Sequence, residues 1–274
     1  MNKIIILFSF ILLFTFCGLL KADSLYVYPS LYYTLGKYSG GESSIAYSGY
    51  VTLAFNLKSF LTIGYEKLNL DYKTGNYPQN NLVFSFLQNF YPSYLKATYG
   101  FINGRSEPSG SQSLPKDKIN VFGLEYYFFK KMFYYGIAGT YVSENNGYTN
   151  LSSLQLKLKI EYILSPSIFI SLKPAFTYVS DNRNLFSASI NATWNPFSTL
   201  YFKVGGVIGK RALYFDTELL TMFNQNETQS LLYSAQLDYV LFNSIRISSG
   251  ILHTQFSSFN IDYYFGGIRT AIKF

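Results

Sequence analysis

The 274-residue sequence holds a single cysteine, Cys17, and a single histidine, His253. One thiol cannot form a disulfide within the chain, and one imidazole leaves thiol and histidine metal cages without their usual ligand sets. Charged residues make up only 14% of the chain. No Lys/Arg block interleaves with aromatics in a compact domain, so nucleic acid finds little to bind. After residue 22 no apolar run approaches the roughly 20 residues that a membrane-spanning helix needs. What the chain has in quantity is aromatic: 27 Tyr and 26 Phe, with Trp194 bringing the class to 20%. That balance is odd for a protein surrounded by water and natural for one facing lipid.

The first residues read as an address. Met1-Asn2-Lys3 precedes an apolar run from Ile4 to Phe16, followed by short residues up to Ala22. These are the three regions of a secretory signal, with cleavage expected after Ala22. Cys17 lies inside it as a bystander. A lipid-acylated cysteine wants a small residue before it, and Phe16 stands there. The mature chain, 23–274, then has no thiol, so disulfides and thiol catalysis are excluded. It also loses Lys3 and Lys21, which leaves 20 basic against 15 acidic residues, a net charge of +5.

The mature chain is a series of alternating segments. In the clearest, Leu154, Leu156, Leu158, Ile160 and Tyr162 take one parity while Gln155, Lys157, Lys159 and Glu161 take the other. Period two over nine residues is a strand with one apolar and one polar face. Ile168 to Tyr178 and Phe186 to Trp194 repeat the pattern, the latter with a polar face of small side chains: Ser187, Ser189, Asn191 and Thr193. Strands are expected near 25–37, 45–57, 60–71, 81–90, 94–102, 119–129, 132–143, 150–164, 167–180, 185–195, 199–210, 230–241, 245–255 and 261–274. Glu66, Lys67, Leu68 and Leu70 break the alternation of the third, which suggests a bulge there.

Two kinds of connection alternate. Short ones fall at Lys58-Ser59, Tyr91-Pro92-Ser93, Lys130-Lys131, Ser165-Pro166, Asn195 to Ser198 and Phe242-Asn243-Ser244. Longer polar ones fall near 38–44, 72–80, 103–118, 144–149, 181–184, 211–229 and 256–260. Short periplasmic turns and longer outer loops are the habit of bacterial outer-membrane barrels. The expected fold is therefore all-β: a single-chain antiparallel transmembrane β-barrel of about 14 strands with both termini periplasmic, or 12 strands if one hairpin is lost. Aromatics gather at strand ends, at Tyr26, Tyr28, Tyr32 and Tyr33, at Phe90, Tyr91 and Tyr94, and at Tyr126 to Phe129 with Phe133 to Tyr135. They suit two girdles at the membrane interfaces.

The last strand places Tyr264, Ile268, Ile272 and Phe274 on one parity. This pattern resembles the C-terminal signal by which outer-membrane proteins are recognised by the barrel-assembly machinery, and it implies that machinery and outer-membrane lipids as partners. The layout of the last third, with a long loop near 211–229, a hairpin and a Tyr-rich closing strand, resembles the YaiO-type outer-membrane family. That resemblance implies a location more than an activity.

Chemistry is hard to find. His253 is expected to face outward near the interface, where a lipid hydrolase would pair it with a serine nucleophile. Gln255 stands two residues on and Ser257 lies in the loop, so an interfacial polar residue is the plainer reading. Asp216 and Glu218 could hold Ca²⁺ weakly, but read as solvated loop charges. Gly205-Gly206 and Gly266-Gly267 sit within strands, where they relieve crowding or curvature rather than cradle phosphate. Neither a metal nor a cofactor is expected. Parity sends Lys96, Lys157, Lys159, Lys173, Lys203, Arg246, Arg269 and Lys273 inward, against Glu66, Glu125, Glu161 and Asp238. Facing lipid at the midplane would cost a Lys or Arg about 2–4 kcal/mol, so the inward placement wins. Cross-strand ion pairs such as Asp238 with Arg246 and a net-positive lumen both follow. Three functions remain: a passive channel for small solutes with a weak anion preference, a non-conducting anchor, adhesion or envelope-assembly barrel, and an outer-membrane lipid enzyme dependent on His253. Only the loops at 103–118 and 211–229 are long enough to fold inward as plugs.

Overall fold

Alternating segments need partners on both sides, and they find them in a closed ring. The computed structural model describes residues 24–72, 75–108, 116–218, 220–223, 227–242 and 244–274; the signal peptide expected over 1–22 lies outside them. Fourteen long strands form the wall: β1 (Leu25–Tyr38), β2 (Ser43–Phe55), β3 (Ser59–Tyr72), β4 (Gly75–Phe90), β5 (Ser93–Arg105), β6 (Lys116–Lys130), β7 (Phe133–Asn145), β8 (Asn150–Ser165), β9 (Ile168–Val179), β10 (Asn184–Phe197), β11 (Leu200–Arg211), β12 (Gln229–Leu241), β13 (Ile245–Phe256) and β14 (Asn260–Thr270). Each pairs antiparallel with its sequence neighbour. β14 returns to β1 with Ser30 opposite Arg269 and Tyr38 opposite Ile261. Past a break at Ala271, Val27 faces Ile272 and Tyr26 faces Lys273. Closure leaves no edge of unpaired N–H and C=O groups, which hydrocarbon would not tolerate.

The two faces divide as their chemistry requires. Leu154, Leu156, Leu158 and Ile160 point outward, with Ile137, Ile190, Val204 and Ile251 at similar depth, all of them exposed large apolar residues. Ser48, Ser85, Thr98, Thr140, Ser171 and Ser248 point inward and are buried. Among the inward acids Glu66 is satisfied by neighbours on the wall: Ser48 Oγ and Asn81 Nδ2 each donate to it at 2.7 Å. Because Leu156 is 49% exposed towards lipid, Leu156→Arg is expected to destabilise the barrel by about 2–4 kcal/mol. Equilibrium unfolding from vesicles measures this, and a loss below about 1 kcal/mol would place Leu156 away from the hydrocarbon.

Several details differ from the sequence reading. No bulge interrupts β3, whose register runs without shift from Ser43 opposite Asp71 to Phe55 opposite Ser59. Backbone geometry does not change at Glu66; the solvent does. Lys67, Asn69 and Asp71 face outward where the wall has risen above the apolar belt, while Leu68 and Leu70 turn inward. The connection expected over 72–80 is mostly strand for the same reason, since Asn76 to Asn81 pair with β3. Five connections at this loop rim span four residues or fewer, so only those at 106–115 and 212–228 are long. The aromatic girdles also need correcting. Tyr33, Phe90, Tyr91, Tyr126, Phe128 and Tyr135 face outward, but Tyr26, Tyr28 and Tyr32 share the inward parity of buried Ser30. Tyr94 and Tyr127 likewise share the inward parity of Lys96 and Glu125. Strand-end rings serve both faces: outside they meet the interface, inside they line the mouth.

Candidate functional site in the barrel lumen

The lumen is shaped by the chain between β11 and β12. Near the loop rim the register slips between Ile208 and Arg211 and again between Gln229 and Leu231, where the chain leaves and rejoins the wall. Gly209 takes φ +95°, and a Cβ there would lie 2.4 Å from the Phe186 carbonyl oxygen, so only glycine fits this exit. Arg211 then lies 3.7 Å over the Tyr214 ring, and its Nε donates to Gln229 Oε1 at 2.7 Å, which ties the two ends of the excursion together.

Beyond that root the segment folds into the barrel as a small hairpin, Tyr214–Asp216 against Thr221–Phe223. Two apolar patches receive it. Phe215 packs among Val83, Ile102, Ile119, Val121 and Val142, which face inward from β4 to β7. Leu213 and Ala212 pack on Val179 and Leu185 of β9 and β10. Phe215 is 1% exposed, so the contact removes a whole aromatic ring from water. Such burial stabilises by about 1.5–3 kcal/mol. At the tip, Lys96 Nζ donates to the Thr217 carbonyl oxygen. A Cβ on Gly123 would meet the Thr217 methyl at 3.4 Å, so this inward glycine leaves the tip its space.

Glu218 closes the arrangement. Lys159 Nζ and Lys173 Nζ each donate to its carboxylate at 2.6 Å. Glu161 joins at 3.0 Å from Lys159 and 3.9 Å from Lys173. Burial raises the Glu218 pKa, but the two ammonium groups outweigh it and hold the carboxyl well below the usual range. The Glu218 carboxylate is therefore ionised at every ordinary pH. Glu218 is thus a clamped charge rather than the freely solvated one its loop suggests: the sequence separates it from Lys159 by 59 positions, and the fold removes that distance. Asp216 instead accepts from the Glu218 backbone N–H at 2.9 Å, which shapes the tip.

The other inward candidates fall into small groups. Lys96 lies 3.5 Å from Glu125. Asp238 is fully buried, 2.8 Å from Lys203 and 3.7 Å from Arg246, around the turn where a pair was expected. Lys157 shares the inward parity, and no ion-pair partner stands beside it among the described residues. Arg269 and Lys273 lie over Tyr28 and Tyr26 at the turn rim. The positive field expected from Lys157, Lys159, Lys173 and Lys203 is thus reduced, by Glu218 and Glu161 at Lys159 and Lys173 and by Asp238 at Lys203. His253 faces outward, its Nδ1 2.6 Å from Asp262 Oδ1 and its ring stacked 4.7 Å from Tyr233. Ser257 donates to Glu227 instead, so the histidine and this serine are not brought together. Tyr264, Ile268, Ile272 and Phe274 form one outward row along the closing strand.

A closed 14-stranded antiparallel barrel with an apolar belt outside and a polar face inside defines an integral outer-membrane β-barrel. The sequence matches no family model and no curated protein. Among solved structures, the fold is similar to the CymD monoaromatic hydrocarbon channel, with a TM-score of 0.60, 7% identity, and coverage of 93% of this chain and 90% of that one. It is also similar to a loop L8 deletion mutant of OmpT, an outer membrane protein of Vibrio cholerae, with a TM-score of 0.51, 10% identity, and coverage of 90% and 99%. CdiB from Acinetobacter baumannii matches with a TM-score of 0.54 and 11% identity over 90% of this chain, which spans 60% of that protein. At these identities the likeness is one of fold.

Proposed function

We propose that the barrel is a narrow passive diffusion channel for small solutes, with a weak anion preference and with segment 212–223 setting its constriction. The observation that carries this reading is the unequal filling of the lumen. The anchors of the inward segment lie on β4 to β10. The wall beyond it offers a stretch of small side chains, Gly205 beside Asn191 and Ser234 with Ser248 further on, which leaves room there, while Tyr32, Tyr50 and Phe265 lie against inward glycines further round the ring. A wet passage needs no catalytic group, only width and a suitable field. Both termini and the six tight turns face the periplasm, so the constriction hangs from the outer side. Planar-bilayer recordings of the refolded chain should show discrete open steps.

The inward segment also favours a second reading, a barrel sealed by its own loop that serves as an anchor or assembly partner. Persistent absence of steps in the wild-type chain, together with steps after residues 212–223 are excised, selects that reading.

The outward row of Tyr264, Ile268, Ile272 and Phe274 is proposed to be what the barrel-assembly machinery recognises, since it offers side chains of one type along an accessible strand. Phe274, 72% exposed, is its most open member. Phe274→Ala should lower the amount of folded, heat-modifiable protein in the membrane severalfold while leaving the conductance of each folded barrel unchanged. Equal assembly would remove Phe274 from the signal.

A further inference from the structure

Two glycines on the lipid-facing wall are not required by the packing of the chain itself. Gly49 of β2 and Gly266 of β14 share the outward parity of Tyr47 and Ile268, and neither has a positive φ. A Cβ on Gly266 would come no nearer than 3.8 Å to another part of the chain, and one on Gly49 would meet only the tip of Leu31 at 3.4 Å. Gly267 is the contrast: it faces inward, and a Cβ there would lie 2.1 Å from Tyr32. A glycine inside a strand costs stability, and one that its own fold does not need marks a place where something else approaches.

The register joins the two glycines into one feature. Gly266, Tyr33, Tyr47 and Lys67 are successive partners across β14, β1, β2 and β3, and Ile268, Leu31, Gly49 and Tyr65 form the next outward row on the turn side. Around these two rows the outer wall is hollowed into an apolar groove of about 730 Å³. That volume lies within the roughly 300–1,000 Å³ of small-molecule sites. Leu31, Tyr47 and Tyr65 line it and are each at least half exposed, so the groove opens onto the membrane. Lys67 belongs to the loop-side row, at the border where the wall rises above the apolar belt. It is exposed and in no ion pair with a described residue. Tyr47 stands opposite it with its ring 5.2 Å from that of Tyr33, a pair of phenols suited to the headgroup level.

An apolar trough bordered by one unpaired cation has the outline of a charged amphiphile. We propose that this groove seats an acyl-chain lipid with an anionic phosphate headgroup, its chain over Gly49 and Gly266 and its phosphate on Lys67. The groove opens onto hydrocarbon, so an acyl chain is always at hand to fill it, and an unfilled hollow would forfeit dispersion contacts. The lysine adds the preference for an anionic head. A second copy of the chain fits less well, because a barrel pressed on this face would bury the Lys67 ammonium against its own apolar belt, an unpaired charge taken out of water. The proposal rests on the placement of the barrel in a membrane, not on whether the lumen conducts.

The test is native mass spectrometry of the refolded full chain in detergent, with phosphatidylglycerol or phosphatidylcholine of identical acyl chains as the probes. The wild type should retain phosphatidylglycerol about fivefold more than phosphatidylcholine, whose choline offsets the phosphate charge. Lys67→Gln should bring the two lipids level. Gly49→Leu and Gly266→Leu should fill the floor of the groove and abolish the retention of both lipids. Gly139→Leu, at an outward glycine of β7 whose Cβ would meet only Leu156 at 3.8 Å, should leave retention unchanged. Equal retention of the two lipids by the wild type, retention that survives both groove leucines, or its loss in Gly139→Leu overturns the proposal. Lys67 is exposed, so Lys67→Gln decides the matter even where a leucine variant fails to assemble: a headgroup preference that persists in it overturns the proposal. A wild-type dimer that Gly49→Leu converts to a monomer assigns the groove to a second copy instead. Displacement of the lipid by an equal concentration of inorganic phosphate shows a site for the head without the chain, and overturns the lipid assignment.

Discussion

Glu218→Lys should open the barrel, raising single-channel conductance severalfold in planar bilayers. In the wild type the Glu218 carboxylate sits 2.6 Å from both Lys159 and Lys173, which are themselves only 12% and 6% exposed. Substitution converts two attractions into two repulsions among nearly buried ammonium groups, with Glu161 left to serve all three cations. Unit charges at 4 Å interact by about 4 kcal/mol in an effective dielectric of about 20, and solvent at the partly exposed Glu218 lowers that somewhat. Against it stands the Phe215 anchor at about 1.5–3 kcal/mol. Reversal of two pairs exceeds the Phe215 anchor, so the hairpin tip leaves its seat while Leu213 and Ala212 hold the root against Val179 and Leu185. Steps of unchanged size would show that the clamp does not define the narrowest point.

The second large effect concerns selectivity. Lys159→Glu with Lys173→Glu should move the reversal potential in a salt gradient decisively towards cations and enlarge the steps as well. The two new carboxylates would join Glu161 and Glu218, so four acids replace a balanced cluster in the middle of the path. The field of such a cluster is felt over about 10 Å at 0.1 M salt, so the shift should shrink as salt rises. A conducting double variant whose reversal potential stays put would place both lysines away from the permeation path. The wild type should show only a weak anion preference, because Lys159 and Lys173 are paired and the excess lies at Lys157 and at the turn-side mouth.

The wall was legible because period two is a local property. Leu154 to Tyr162 shows its two faces in nine residues, and nothing distant alters which face meets lipid. The third strand misled because apolar-out alternation holds only within the hydrocarbon; above it Leu68 and Leu70 look inward with no change of backbone. Inward tyrosines at the mouth escaped for a related reason, since an aromatic near a strand end reads as interfacial on either face. The hairpin of 212–223 was legible only as a segment long enough to fold inward. Its seat comes from seven strands, and no short window shows Phe215 beside Val83 and Val142. One local sign did exist: Val83, Ile102, Ile119 and Val142 are aliphatics on the parity otherwise held by small polar residues, and a lumen gains nothing from them unless something apolar docks there.

The ring closure between β1 and β14 has a temporal side. Ser30 and Arg269, the partners that start the long β1–β14 register, are almost a whole chain apart, so this seam has the greatest loop-closure entropy of any in the wall. A growing or partly translocated chain can zip hairpin by hairpin from β2 onward, yet its first strand keeps an open ladder until the final one arrives. During that interval β1 is a sticky edge, able to pair with a second nascent chain as readily as with its own end. Biogenesis of this barrel therefore favours a sheltered seam: whatever holds β1 until β14 is delivered decides whether the product is a pore or an aggregate.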